Sequence, residues 1–149
     1  MHKHSEERIL PHRPEAIFNL VADVQSYPDF LPWCTATRVL QQNESGMIAE
    51  MAVGYKSIRE SYKSNVELNR DDMIIKVTAI DGPFKYLINQ WQFEECNFDQ
   101  CKIHFHIEFE FGSWILEQII GVFFEDAVAK MVLAFETRAN EIYNSCALD

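Results

Sequence analysis

The stretch that decides the fold is Lys102–Phe111, KIHFHIEFEF, joined by one glycine to Ser113–Tyr143, SWILEQIIGVFFEDAVAKMVLAFETRANEIY. The first part alternates apolar and polar residues, which predicts a β-strand with one buried face. The second part has apolar residues at helical spacing, which predicts one long helix of roughly 45 Å. Two apolar surfaces of this size must bury each other or enclose something apolar. The stretch therefore indicates a container for a hydrophobic ligand.

Upstream of this stretch, the pattern predicts a strand, a helix and then a series of strands. Pro14–Ala22 has a proline in its first turn and apolar residues at helical spacing, and it follows a strand over His4–Leu10. Short turn-forming connections make the later strands antiparallel neighbours. Their ranges are Thr35–Gln42, Met47–Val53, Ser57–Leu68, Met73–Ile80 and Phe84–Glu95.

This order predicts the α+β class and a helix-grip fold. A curved antiparallel β-sheet of about seven strands wraps around a long C-terminal helix, and two short helices follow the first strand. The second short helix falls between Asp23 and Trp33, where two prolines limit its length. We expect residues 1–149 to form a single domain.

Composition narrows the classes of function. The formal net charge of −10 counts against nucleic acid, so DNA is not expected as a partner, and it opposes adsorption to anionic lipid. The N-terminus has no signal-peptide pattern, and charged residues interrupt the C-terminal helix, so we expect a soluble cytoplasmic protein. The four cysteines lack the spacing of a disulfide framework and are expected to be free thiols.

The motifs that could support catalysis or metal binding are weak. His104 and His106 alternate with Lys102 and Glu108 on the polar face of their strand, which is typical of a solvated sheet exterior. No nucleophile–base set, paired carboxylates or phosphate loop is present, so neither a catalytic residue nor a metal ligand nor a resident cofactor is predicted. The protein is expected not to be an enzyme.

Two features suggest ligand contacts, and each has a structural alternative. Glu60 and Asn89 lie on the inward faces of two central strands, where a carboxylate must be paired, protonated or bonded to a ligand. Glu60 either meets a partner such as Lys130 or anchors a ligand head group. The aromatic segment Tyr27–Trp33 either plugs the edge of the core or acts as a gate for a ligand.

Several blocks together resemble the coenzyme Q-binding proteins of the START-like superfamily, over about His4 to Tyr143. The blocks are YPDFLPWC at Tyr27–Cys34, ESYKSNV at Glu60–Val66, DGPFKYL at Asp81–Leu87 with Trp91 and Phe93 after it, and MVLAFETRA at Met131–Ala139. The resemblance implies a START-like domain that binds ubiquinone and supports respiratory electron transport without being an enzyme. The same superfamily includes bacterial ribosome-association toxins, which are proposed to bind the large subunit, and polyketide cyclase-like proteins.

We favour the quinone carrier, with ribosome association and a cyclase as alternatives. The expected partners are ubiquinone or a related lipid, a transient contact with the membrane or a respiratory complex, and the ribosome under the alternative. Glu60, Tyr62 or Asn89 would face the quinone ring, while Phe30, Leu31, Trp33 and Phe84 would guard the entrance. The expected lining residues are Trp91, Phe93, Phe105, Ile107, Phe109, Phe123, Phe124, Val128, Met131 and Phe135.

Overall fold

A single antiparallel sheet makes up most of the computed structural model, which describes residues 2–55, 57–121 and 124–144. The strands are β1 (His2–Leu10), β2 (Cys34–Asn43), β3 (Gly46–Tyr55), β4 (Ile58–Asn69), β5 (Ile74–Ala79), β6 (Phe84–Glu95) and β7 (Cys101–Phe111). Their order across the sheet is β1-β7-β6-β5-β4-β3-β2, so every neighbouring pair except β1–β7 is consecutive in the chain. The predicted class and sheet are confirmed.

The helices cover one face of this sheet. They are α1 (Pro14–Ala22), a 3₁₀ segment (Val24–Asp29), α2 (Trp114–Ile120) and α3 (Phe124–Ala139), and a π-helical turn (Asn140–Asn144) follows α3. Pro14 starts α1, where its missing N–H costs no hydrogen bond. The two short helices expected after the first strand are therefore present.

The C-terminal helical region predicted over Ser113–Tyr143 is present, and the structure describes it in two parts. Helix α2 ends at Ile120, before Gly121, and α3 begins at Phe124. Gly121 itself has helical backbone angles, and residues 122 and 123 lie outside the described residues. Helix α2 buries Leu116 but leaves Trp114 76% exposed and Ile115 59% exposed. Helix α3, roughly 24 Å long, covers the sheet together with α1.

The core lies between α3 and the inner face of the sheet. Along β7, the side chains of Ile103, Phe105, Ile107 and Phe109 are buried and alternate with more exposed polar residues, as the sequence predicts. Helix α3 buries the side chains that recur every three to four residues: Phe124, Val128, Val132, Phe135 and Ala139. Helix α1 adds Ile17, Phe18 and Val21 to this core, and burial of these apolar faces stabilises the fold.

Candidate ligand-binding site

A tight aromatic cluster fills one end of the space between sheet and helix. The ring of Trp91 lies 4.8 Å from that of Phe105 and 5.0 Å from that of Phe135, both edge to face. Phe93 stacks beside Trp91 and meets Phe18 of α1 at 5.7 Å. Aromatic pairs at these distances are in direct contact. These predicted lining residues therefore contact one another at this end of the interior.

A second aromatic group lies toward the C-terminal end of β7. Phe84 packs against Tyr62 at 5.1 Å and Phe109 at 5.6 Å, and Phe109 in turn contacts Phe124 at 5.0 Å. Gly82 adopts φ +98° directly before this group, and a Cβ there would lie 2.3 Å from the Cβ of Tyr62. The turn ahead of Phe84 thus needs glycine to cover Tyr62 so closely.

Tyr62 lies on the inner face of β4 and is partly buried against the core. Its ring is surrounded by protein, and this burial raises the pKa of its hydroxyl to about 12. The side chain nevertheless keeps accessible surface, as do Val77, Ala79 and Met131 elsewhere along the core. The hydroxyl donates to the Sδ atom of Met51 at 3.5 Å, and a thioether is a weak acceptor. A strong acceptor would therefore compete easily for this donor.

Asn89 is hydrogen-bonded within the protein. Its Nδ2 donates to the backbone oxygen of His106 at 3.0 Å, and its Oδ1 accepts from Nε1 of Trp91 at 2.9 Å. These bonds hold the Trp91 indole in place and satisfy its N–H in the core. Asn89 keeps accessible surface, so its contact with a quinone ring stays a prediction.

Glu60 has none of the partners that the sequence suggested. It is half-buried on β4 opposite Val53, and within the described ranges its carboxylate makes no hydrogen bond or ion pair. Lys130 instead pairs with Asp126 at 3.0 Å on the exposed side of α3, as expected for residues one turn apart. The proposed pairing of Glu60 with Lys130 is wrong, and its role as a ligand anchor stays a prediction.

The aromatic segment after α1 packs onto the core edge. The ring of Phe30 lies 5.2 Å from Phe135 and 6.0 Å from Tyr27, whose hydroxyl donates to the backbone oxygen of Val21. Trp33 adopts φ 68°, a left-handed conformation that side chains rarely take and that occurs often at ligand clamps. Phe30 thus plugs the edge of the core, and the gating role of the segment stays a prediction.

The remaining predicted lining residues divide by burial. Ile107 and Val128 are buried, whereas Leu31 is half-buried against the core. Phe123 lies outside the described residues. Met51 was not predicted as part of the site, although the alternation of β3 places it on the inner face opposite Tyr62. That register could not be read from β3 alone.

The outer face of the sheet carries the histidine pair, as predicted. His104 lies between two carboxylates, with Nδ1 3.3 Å from Glu7 and Nε2 2.7 Å from Glu94. His106 contacts Ser5 and Glu108. Over the part of the chain that the structure describes, no three His, Cys, Asp or Glu side chains are placed to hold a metal ion. Cys34, Cys96 and Cys101 are free thiols, and Cys146 lies outside the described residues.

Comparison with known proteins decides the family. Residues 10–136 match the family described as polyketide cyclase / dehydrase and lipid transport. The chain belongs to that family. A START superfamily protein from Mycobacterium smegmatis shares the fold, with a TM-score of 0.82 at 14% identity over 95% of this chain and 99% of that one. The START-like fold expected from the motifs is therefore confirmed.

Two relatives by sequence carry different names. The ribosome association toxin RatA of Rickettsia prowazekii is 41% identical over 138 residues, which span 91% of this chain and 94% of that protein. The mitochondrial coenzyme Q-binding protein COQ10 homolog B of Xenopus laevis is 33% identical over 144 residues, 95% of this chain and 59% of that protein. Both the quinone-binding and the ribosome-associating relatives expected from the motifs are present.

Among the described residues, every helix is too short or too polar to span a membrane.

Proposed function

We propose that this protein binds ubiquinone, or a similar polyprenyl lipid, between its sheet and α3, and supports respiratory electron transport as a non-catalytic carrier. The observation that carries the proposal is the Tyr62 hydroxyl, a donor deep in the protein whose acceptor is a thioether at 3.5 Å. A quinone carbonyl is a far stronger acceptor. Tyr62 would therefore orient the ring, and no catalytic group is required.

Partly buried apolar residues along the sheet and α3 suit the rest of such a ligand. Phe84, Val77 and Met131 are apolar and keep accessible surface on the inner side of the sheet and helix. Burial of a prenyl tail gains about 0.8 kcal/mol per methylene, so apolar walls suffice for affinity. The relative named as a coenzyme Q-binding protein supports this choice of ligand. Delivery would require a transient contact with a membrane or a respiratory complex.

The test is lipid identification followed by titration. The protein purified from its host is extracted with organic solvent, and we expect mass spectrometry of the extract to find a quinone. The delipidated protein is then titrated with a ubiquinone that carries two prenyl units. Binding is measured as quenching of tryptophan fluorescence. Saturable quenching is the expected result.

Two tyrosine variants make the titration specific. Tyr62→Phe removes the interior donor and should weaken binding about three- to tenfold, the value of one hydrogen bond. Tyr86→Phe is the matched control, because the Tyr86 hydroxyl contacts Glu108 on the outer face of the sheet. Binding that both variants weaken equally, or that Tyr62→Phe leaves unchanged, would contradict the proposal.

A second candidate is ribosome association, which the 41% identity to a ribosome association toxin favours. A chain with a net charge of −10 would be repelled by RNA, so the contact would have to be made with ribosomal proteins. Co-sedimentation with isolated ribosomal subunits at low and moderate salt tests this. Binding to the large subunit that survives moderate salt would support it, and its absence at both salt concentrations would exclude it.

A further inference from the structure

A groove runs along the outer side of α3, away from the interior around Tyr62. Its volume is about 430 Å³, within the roughly 300–1,000 Å³ of small-molecule sites. One wall is the segment from Asp29 to Pro32, and the other is a stripe of α3 that includes Leu133 and Arg138. The distance along the helix from Lys130 to Arg138 is roughly 12 Å, enough for a medium-length alkyl chain.

Arg138 is the unusual residue of this groove. Its side chain is 27% exposed, and its Nε atom is buried without a hydrogen-bond partner among the described residues. The carboxylate oxygen of Glu141 is 4.0 Å from Nη1, which is beyond hydrogen-bonding distance. By contrast, the guanidinium of Arg8 makes bonds of 3.1 Å to Glu6 and 2.7 Å to Glu136. Although the chain is rich in acidic residues, the guanidinium of Arg138 is thus incompletely hydrogen-bonded, and its exposed part faces the groove.

The contacts of Arg138 hold its guanidinium at a fixed place in the groove. Its central carbon lies 5.4 Å from the centre of the Phe30 ring, at a distance typical of a cation–π contact. The stacked ring supports one face of the guanidinium, while the edge carries the N–H donors. An oxyanion is the group that accepts two such N–H donors in one plane.

The rest of the groove is apolar and limits the charge of an occupant. Leu133 is 54% exposed, and Pro32 and Ala134 line the groove beside it. Asp29 and Glu141 also line it and balance the charges of Lys130 and Arg138, so the groove has no positive excess that would favour a doubly charged head group. We propose that this groove binds a small amphiphile, an apolar chain that ends in a carboxylate, with the carboxylate on Arg138 and the chain along Leu133 and Pro32.

The experiment uses decanoate as the probe, below its micelle concentration. The Nε–H signal of Arg138 is followed in an arginine-selective ¹⁵N spectrum, together with the backbone amides of Phe30 and Leu133. We expect saturable shifts at these positions. Decyl phosphate should bind more weakly, and octyl glucoside, which has a tail but no charge, should leave the Arg138 signal unchanged.

Three variants test the assignment. Arg138→Gln should weaken decanoate binding about tenfold or more, because a charge-assisted pair is lost. Leu133→Glu places a negative charge at an exposed position, so it should weaken binding without threatening the fold. Arg38→Gln is the matched control, since Arg38 is an exposed residue paired with Glu50 on the sheet. The affinity of Arg38→Gln for decanoate should equal that of the unaltered protein.

Other results would overturn the proposal. Decanoate that shifts Tyr62 but not Arg138 would be bound in the interior, and the groove would not be its site. Equal binding of octyl glucoside, tighter binding of decyl phosphate, or unchanged affinity in both Arg138→Gln and Leu133→Glu would each contradict it. The readout at Arg138 does not depend on quinone binding, so failure of one proposal leaves the other standing.

Discussion

At the scale of single residues, Gly82 shows how the backbone shapes the candidate site. Its φ is +98°, and a Cβ at this position would lie 2.3 Å from that of Tyr62, so there is no room for a side chain. We expect Gly82→Ala to lower the free energy of unfolding by about 1–3 kcal/mol, as measured by urea denaturation. Gly112→Ala is the control, because its nearest atom would be 3.6 Å away, and should change stability by less than about 0.5 kcal/mol. Equal effects of the two would contradict this account.

At the scale of elements, the two sides of α3 differ in what they contribute. Phe135 contacts the rings of Tyr27, Phe30 and Trp91 at 5.4, 5.2 and 5.0 Å, so it joins the sheet to the segment after α1. Phe135→Ala should cost about 3–5 kcal/mol in urea denaturation. Leu133→Ala, two residues away and 54% exposed, should cost less than about 0.5 kcal/mol. Comparable losses would mean that α3 does not pack as described.

Element boundaries also show what the sequence can and cannot predict. The ranges of α1 and β6 agree with prediction to the residue, since Pro14 and the turn before Phe84 give clear signals. The separate bounds of α2 and α3 were not predicted, because the apolar spacing continues on both sides of Gly121 and one glycine is often tolerated in a helix. Strand β1 begins at His2 instead of His4, and its pairing with Phe109 depends on a partner about a hundred residues away.

The candidate site was predicted in part. Inward-facing residues such as Tyr62 and Asn89 follow from the alternation of their strands. Their hydrogen-bond partners could not be predicted in the same way. Met51 and the backbone of His106 lie on neighbouring strands, and the sequence does not determine the register of those strands. The isolation of Glu60 could not be foreseen either, since it depends on which way Lys130 points.

At the scale of the whole molecule, buried acids predict a loss of stability at alkaline pH. Burial raises the pKa of Cys34 to about 11 and of Cys101 to about 12, each from 9.0, and that of Tyr62 to about 12 from 10.0. At a pH between the ordinary and the raised pKa of a group, that group has lost its proton in the unfolded chain but keeps it in the folded chain. Stability is therefore complete below about pH 9 and falls as pH rises toward 12, by up to about 1.4 kcal/mol per pH unit for each group.

Urea denaturation from pH 8 to 11 measures this loss of unfolding free energy. Cysteine variants show how much of the loss each thiol causes. Cys34→Ala and Cys101→Ala should each flatten the pH dependence above pH 9, whatever they do to stability at neutral pH. The exposed Cys96 serves as the control, and Cys96→Ala should leave the slope as it is. A slope that none of the three changes would assign the alkaline loss to other groups.

The pairing of β1 with β7 also matters while the chain is being made. Leu10 pairs with Cys101, so the first strand leaves the ribosome roughly 90 residues ahead of the only neighbour it has in the described sheet. At about 5–20 residues per second, it waits on the order of ten seconds before that neighbour exists. The strands β2 to β6 can meanwhile pair with one another as hairpins. Completion of the sheet is thus a late event of synthesis, and premature release of the chain would leave β1 unpaired.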